Sequence, residues 1–126
     1  MFKYVQIPAK FRVIPIGIGL VLIFFSCGKE NVDVIDCAGS APTYTADTKS
    51  ILDASCAKSG CHDAATHESG YDFSTYAAAM SSSQSEAFLG AIQHKNGCEA
   101  MPNDGPKLSL DKIKLLTCWS QNGSPE

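Results

Sequence analysis

The sequence feature that most constrains this chain is residues 56–62, which read Cys-Ala-Lys-Ser-Gly-Cys-His. Two thiols followed at once by an imidazole suit covalent haem attachment. Cys56 and Cys61 would add to the two vinyl groups, and His62 would lie beneath the iron. The spacer has four residues where two are usual, and Gly60 lets the added residues loop outward without moving His62. The motif therefore predicts one covalent haem c bound by Cys56, Cys61 and His62.

Two other interpretations of this motif stay open. Cys56 and Cys61 could close a small disulfide loop, which gives His62 no role. The three side chains could also join a further ligand at a zinc site. Zinc pairs usually recur as a second Cys/His cluster of similar spacing, and the sequence contains no such second cluster.

The N-terminus predicts export. Basic residues precede an apolar run over residues 13–25, and Ser26 stands directly before Cys27. This order is typical of a secretory signal, and the run is short for a membrane span. Cys27 resembles the lipidated cysteine of bacterial lipoproteins, in the relaxed form of Bacteroidetes-type bacteria. We expect a signal peptide over residues 1–26 and a lipid anchor at Cys27. The protein would then lie in the cell envelope, on the periplasmic or surface side; an uncleaved signal anchor is the alternative.

Charge indicates the kind of partner. Removal of the signal takes away Lys3, Lys10 and Arg12, which leaves residues 27–126 with seven basic and thirteen acidic residues, a net charge of −6. Nucleic-acid binding needs a basic face, so we expect no nucleic-acid partner. An acidic face suits a basic redox protein, and the lipid anchor makes the membrane a further partner.

Composition divides the exported part into two regions. Residues 27–44 combine glycine, proline and isolated charges without periodicity, which indicates a tether between membrane and domain. Residues 45–126 form one small domain. A domain of this size buries little core unaided, so a covalently attached apolar cofactor would help it to fold.

Three helix starts are predicted from capping residues. Asp47 is the expected N-cap of a helix that carries Ile51 and Leu52 to Cys56. Ser74 is expected to cap a short helix over residues 75–80. Ser85 is expected to start a third helix, which ends before a turn at residues 96–97.

The last predicted helix begins at Ser109 or Leu110 and ends near Asn122, with Gly123 as its C-cap. Helical periodicity places four apolar side chains on one arc: Ile113, Leu115, Leu116 and Trp119. We therefore interpret the tryptophan as a packing residue, with Cys118 at the edge of the arc.

A haem bound through one imidazole needs a second axial donor or an open iron site. Met101 is the best candidate, because it lies in an irregular loop directly before Pro102, whose ring restricts the preceding backbone. Met80 lies in a predicted short helix and can serve as core. His94 is the serious rival, while His67 lies too near the attachment loop to reach the other face easily.

These features together resemble a class I cytochrome c domain: a cysteine pair and histidine after a first helix, a Met-Pro loop, and a last helix followed by Asn-Gly-Ser-Pro. The chain is similar to single-haem lipoprotein cytochromes of Bacteroidetes-like bacteria, down to Ile-Leu-Asp-Ala-Ser-Cys and Leu-Thr-Cys-Trp. The resemblance covers about residues 45–125. It implies an all-α fold, a small helical domain wrapped around haem c. It also implies thioethers from Cys56 and Cys61, and His62 and Met101 as axial ligands.

Three cysteines are left after lipid and haem: Cys37, Cys98 and Cys118. In a class I cytochrome the first and last helices pack together, so the segment before the first helix should pass near the last one. We therefore predict a Cys37–Cys118 disulfide that leaves Cys98 free. A Cys98–Cys118 bond is the close rival.

The function that the sequence predicts is electron transfer by a membrane-anchored monohaem cytochrome with His/Met ligation. No recognisable arrangement of acid, base and nucleophile is present, so we expect an electron carrier and not an enzyme. One alternative is a haem enzyme or sensor with an open iron. The other is a haem-free surface lipoprotein stapled by disulfides.

Overall fold

The structure is a computed structural model that describes residues 32–126. The predicted signal peptide and Cys27 therefore lie outside the described residues. Within residues 32–126 the fold is all-α, without strands. Four α-helices follow one another along this part of the chain: α1 Lys49–Ser55, α2 Tyr76–Ser83, α3 Glu86–Gln93 and α4 Leu110–Gln121. None of them has both the length and the apolar stretch that crossing a membrane requires.

A π-helical turn, Tyr44–Thr48, leads directly into α1. Its N-cap is Thr43, whose hydroxyl accepts from the Ala46 backbone N–H, and the Asp47 carboxylate accepts from the Thr43 N–H at 2.8 Å. The prediction of Asp47 as N-cap is therefore wrong. Asp47 is instead the reciprocal partner of a cap four residues earlier, and the wider π-turn moves the start of the helix toward the N-terminus.

The caps of the later helices agree with the sequence more closely. Ser85 caps α3 and accepts from the Phe88 N–H, as predicted. The cap of α2 is Thr75 and not Ser74. The Ser74 backbone N–H donates to the Asp72 carboxylate at 2.8 Å. This Asx turn delays the helix by one residue.

α4 has the predicted bounds, but its C-cap is Asn122, and Gly123 follows the cap in a left-handed conformation at φ +83°. Ile113, Leu116 and Trp119 are buried on its inner face. The indole N–H of Trp119 donates to the Pro125 carbonyl at 2.8 Å, and the same carbonyl accepts from the Tyr44 backbone N–H. The end of the chain thereby joins α4 to the turn before α1, and Trp119 is a packing residue as expected.

The predicted Cys37–Cys118 disulfide is present, with the two Cα atoms 5.4 Å apart. The expectation that Cys98 stays a free thiol is wrong, because Cys98 is also disulfide-bonded. Neither the capping pattern nor the helical periodicity in the sequence bears on the partner of Cys98.

Residues 32–43, which we call the strap, contact the helices. Asp33 forms an ion pair with Lys95 at 2.5 Å and exchanges two hydrogen bonds with the Gln93 side chain. Ile35 packs on the core, and Asn122 donates to the Ser40 carbonyl. The described part of the expected tether is therefore fastened to the domain.

Candidate functional site

A cleft of about 700 Å³ opens between the segment after α1 on one side and α3 with the loop that follows it on the other. This volume lies within the usual range of cofactor sites. A second cavity of about 470 Å³ adjoins it, and the two share Cys56, His62, Glu99 and Met101 as walls. The larger cavity is otherwise lined mainly by aromatic and small apolar side chains: Tyr71, Phe73, Ala87, Phe88, Ala91 and Ile92.

The motif begins where α1 ends. Cys56 is the C-cap and its N–H still bonds the Leu52 carbonyl, while Gly60 adopts a left-handed conformation at φ +80°. The His62 N–H then donates back to the Cys56 carbonyl at 3.2 Å and closes the spacer into a compact loop. The four-residue spacer therefore leaves His62 adjacent to Cys56, as Gly60 suggested.

Both cysteines are free thiols, so the structure does not contain the Cys56–Cys61 disulfide. Cys56 is buried, and this burial, with a smaller contribution from Cys61, raises the pKa of its thiol to about 11. Cys56 is therefore held as the neutral thiol at neutral pH. The Cys61 side chain lines the smaller cavity.

His62 is 9% exposed and its ring orientation is fixed on several sides. Nδ1 lies 3.1 Å from the Glu68 carbonyl oxygen. Because a carbonyl only accepts, Nδ1 carries the proton, and in the neutral ring Nε2 keeps its lone pair. The ring stands perpendicular to Tyr71 and Phe73, with centroids 6.1 and 5.6 Å away. The Phe73 N–H donates to the His62 carbonyl, which fixes the backbone as well. His62 thus presents one nitrogen that could bind a metal.

Met101 reaches the same cleft from a segment 39 residues further along the chain. It is half-buried and lines both cavities. Its backbone N–H donates to the Ala91 carbonyl at 3.1 Å, and its carbonyl accepts from Nε2 of His94 at 3.0 Å. The backbone of Met101 is therefore held against the C-terminal turn of α3.

The rival ligands lie elsewhere. His67, His94 and Met80 are absent from the lining of these two cavities. His67 is exposed, with its Nε2 facing the Ala64 carbonyl. His94 donates a hydrogen bond from Nε2 to the Met101 carbonyl. Within residues 32–126, no three His, Cys, Asp or Glu side chains gather into a metal site, so this region does not assemble the donors that a zinc site needs.

The residues present fit a haem c. Two free thiols, an imidazole nitrogen and a thioether line the two adjoining cavities, and the remaining lining of the larger one is mainly apolar. These are the groups that bind the vinyl substituents and the two axial positions of a His/Met haem. The acidic side chains Glu86 and Glu99 border the larger cavity.

Some residues that shape the site were not predicted from the sequence. Tyr71 and Phe73, two positions apart, could have been found as an apolar pair after the polar loop. The Glu68 contact is made by a backbone carbonyl and leaves no trace in residue type.

No protein family, curated protein or solved structure matches the chain.

Proposed function

We propose that this protein is an exported, lipid-anchored monohaem c-type cytochrome of the class I kind, which carries electrons. One observation carries the proposal: Cys56, Cys61, His62 and Met101 line a single pair of adjoining cavities, although Met101 is far from the others in sequence. A packing role alone does not require these four donors to surround one space.

In this proposal each residue has a defined task. Cys56 and Cys61 hold the haem through thioethers, and His62 and Met101 bind the iron. The haem supplies the ferrous/ferric couple, and thioether ligation favours the ferrous form and raises the potential. The Glu68 carbonyl orients His62 and makes its ring a better donor. Tyr71, Phe73 and Phe88 give the cleft an apolar wall that keeps water from the iron.

The setting of the protein is part of the same proposal. Cys27 would carry the lipid that holds the domain at the membrane, in the cell envelope. The net charge of −6 for residues 27–126 favours a basic redox protein over nucleic acid as partner. Electron transfer needs no acid, base or nucleophile, so the proposed role is that of a carrier and not an enzyme.

Covalent attachment is the first test. We expect the protein, expressed with haem-attachment machinery, to keep its colour through acid–acetone extraction and denaturing electrophoresis. Replacing both Cys56 and Cys61 with serine should give protein whose haem is lost or extractable. A wild-type protein that stays colourless would contradict the proposal and favour a haem-free lipoprotein. Rapid carbon monoxide binding by a high-spin haem would favour the open-iron alternative.

The second test concerns the axial thioether. Met101→Ala should remove the weak near-infrared band of ferric iron bound to methionine, and it should lower the reduction potential. Met80→Ala is the matched control, since Met80 is also half-buried but lies on α2 away from both cavities. A band that survives Met101→Ala would assign the ligand elsewhere.

A further inference from the structure

The loop between α3 and α4, residues 95–109, carries Met101, and we call it the Met101 loop. The C-terminal turn of α3 contacts this loop through a side chain that the proposed ligand set does not use. His94 follows the last residue of α3, and its Nε2 lies 3.0 Å from the Met101 carbonyl oxygen. The carbonyl can only accept, so Nε2 carries the proton and donates. In this arrangement Nε2 is not available to a metal. The Met101 N–H bonds Ala91 on the same turn, so both polar backbone groups of Met101 are fixed by one turn of one helix.

The backbone at His94 is left-handed, with a φ of +56°. Histidine adopts this region more often than most residues do, although glycine and asparagine end helices there at lower cost. The conformation ends α3 and leaves the imidazole to hydrogen-bond the Met101 carbonyl.

The neighbours of His94 fix the turn from its other side. Gln93 is buried and bonds the Asp33 backbone through both ends of its amide, and Lys95 pairs with the Asp33 carboxylate. The turn is therefore held between the strap and the Met101 loop. A helix end that is held in this way restricts the motion of a loop that is hydrogen-bonded to it.

We propose that His94 is a positioning residue, which holds the Met101 backbone so that the thioether stays directed into the cleft. This inference rests on the proposed function, because it assigns Met101 to the iron. A thioether is a weak ligand, so its binding depends on how much freedom the loop loses when the bond forms. The His94 hydrogen bond removes part of that freedom in advance.

Three variants separate the hydrogen bond from the backbone conformation. His94→Asn tolerates the left-handed conformation but is too short to reach the Met101 carbonyl. His94→Gln places an amide N–H at about the reach of Nε2 and so keeps a donor. Lys112→Ala is the control, since it removes an exposed lysine from α4, outside this turn, and leaves His94 in place.

The measurement is the concentration of added imidazole that displaces Met101 from ferric iron, followed through loss of the near-infrared band. His94→Asn should lower this concentration by about tenfold, or about 1.4 kcal/mol, the upper range of a net hydrogen bond. His94→Gln and Lys112→Ala should stay within about twofold of wild type. The inference would be overturned if the displacing imidazole concentration were the same in the Asn variant and wild type. It would also be overturned if that concentration were as low in the Gln variant as in the Asn variant.

Hydrogen exchange at the Met101 amide gives a readout that does not need the haem. His94→Asn should speed this exchange in the full chain, and His94→Gln should not. Unchanged exchange in the Asn variant would overturn the positioning role. If wild type binds no haem, the proposed function fails by itself, and the exchange data still show whether His94 holds the loop.

Discussion

The two walls of the cleft are built in different ways. The wall that carries His62 fixes a side chain: the ring is buried, bonded through Nδ1 to Glu68 and enclosed by Tyr71 and Phe73. The wall that carries Met101 fixes a backbone: Ala91 and His94 hold the peptide groups, and the side chain is half-buried.

This difference assigns different tasks to the two walls. An imidazole whose orientation is fixed before the metal arrives binds with little further ordering. A thioether on a loop held only by its backbone can leave and return more easily. We therefore expect the His62 wall to determine whether haem is bound, and the Met101 wall to determine its potential and spectrum.

The largest effect is expected on the amount of covalent haem when each of the two donors, His62 and Met101, is replaced in turn. His62→Ala should reduce covalently bound haem to the background level of the double serine variant, because the iron loses its buried ligand. Met101→Ala should keep covalent haem near the wild-type amount. Haem stain after denaturing electrophoresis, normalised to protein, measures both. Equal loss in the two variants would show that the walls do not differ in this way.

The next largest effect is expected on the free energy of unfolding when the Cys37–Cys118 disulfide is removed. This bond should stabilise both walls alike. It joins residues 81 apart, and closing a loop of this length in the unfolded chain stabilises the fold by about 4.5 kcal/mol in the chain-entropy treatment. Cys37→Ala with Cys118→Ala should lower the free energy of unfolding by up to that amount in urea titrations. If amide exchange in this variant became faster in only one of the two walls, the disulfide would have a local role instead.

A smaller effect should separate the aromatic support of His62 from general packing. Phe73 contacts the rings of His62, Tyr71 and Phe88. Within residues 32–126, Phe88 contacts no aromatic ring other than that of Phe73. Phe73→Leu should cost about 1 kcal/mol or more of unfolding free energy from lost ring contacts and shift the His62 ring protons in NMR spectra. Phe88→Leu is the matched control and should leave those protons nearly unchanged. Equal proton shifts in both variants would argue against direct support by Phe73.

The smallest effect is expected where the two walls meet at the surface. Lys58, in the cysteine spacer, pairs with Asp104, in the Met101 loop, at 2.9 Å, and both side chains are largely exposed. Lys58→Ala should barely change the unfolding midpoint, because exposed ion pairs contribute little.

The pH dependence of this pair has a definite sign. The hydrogen bond from Lys58 lowers the pKa of the Asp104 carboxyl. Any contribution of the pair is therefore complete above the ordinary aspartate pKa and is lost as the pH falls through the lowered value. The difference between wild type and Lys58→Ala should disappear in acid and in high salt. A difference that grows on acidification would contradict this assignment.

The sequence predicted the parts of this arrangement that depend on residue type and local spacing. The bounds of α4, the Ser85 cap and the packing role of Trp119 follow from periodicity and capping, and the structure confirms them. The Cys37–Cys118 bond was predicted from the expected packing of the first and last helices. The donors were identified from the motif and from the Met-Pro pair, and the structure brings them to one cleft; their ligand roles stay a prediction.

What the sequence did not predict depends on backbone groups and on contacts between distant segments. Asp47 was assigned as a cap because its residue type suits one, but the π-turn gives that position to Thr43. The Glu68 carbonyl that orients His62 could belong to any residue type. His94 looked like a rival ligand, and only the fold shows that its Nε2 bonds the Met101 carbonyl.

The central claim is that the cleft binds a covalent haem between His62 and Met101. The most direct measurement is the oxidised and reduced absorption spectrum of the purified mature protein, produced with haem-attachment machinery. We expect a low-spin c-type spectrum, with the weak near-infrared band of methionine ligation in the ferric form and no rapid change on adding carbon monoxide. A high-spin spectrum, or a protein without a haem chromophore, would contradict the account.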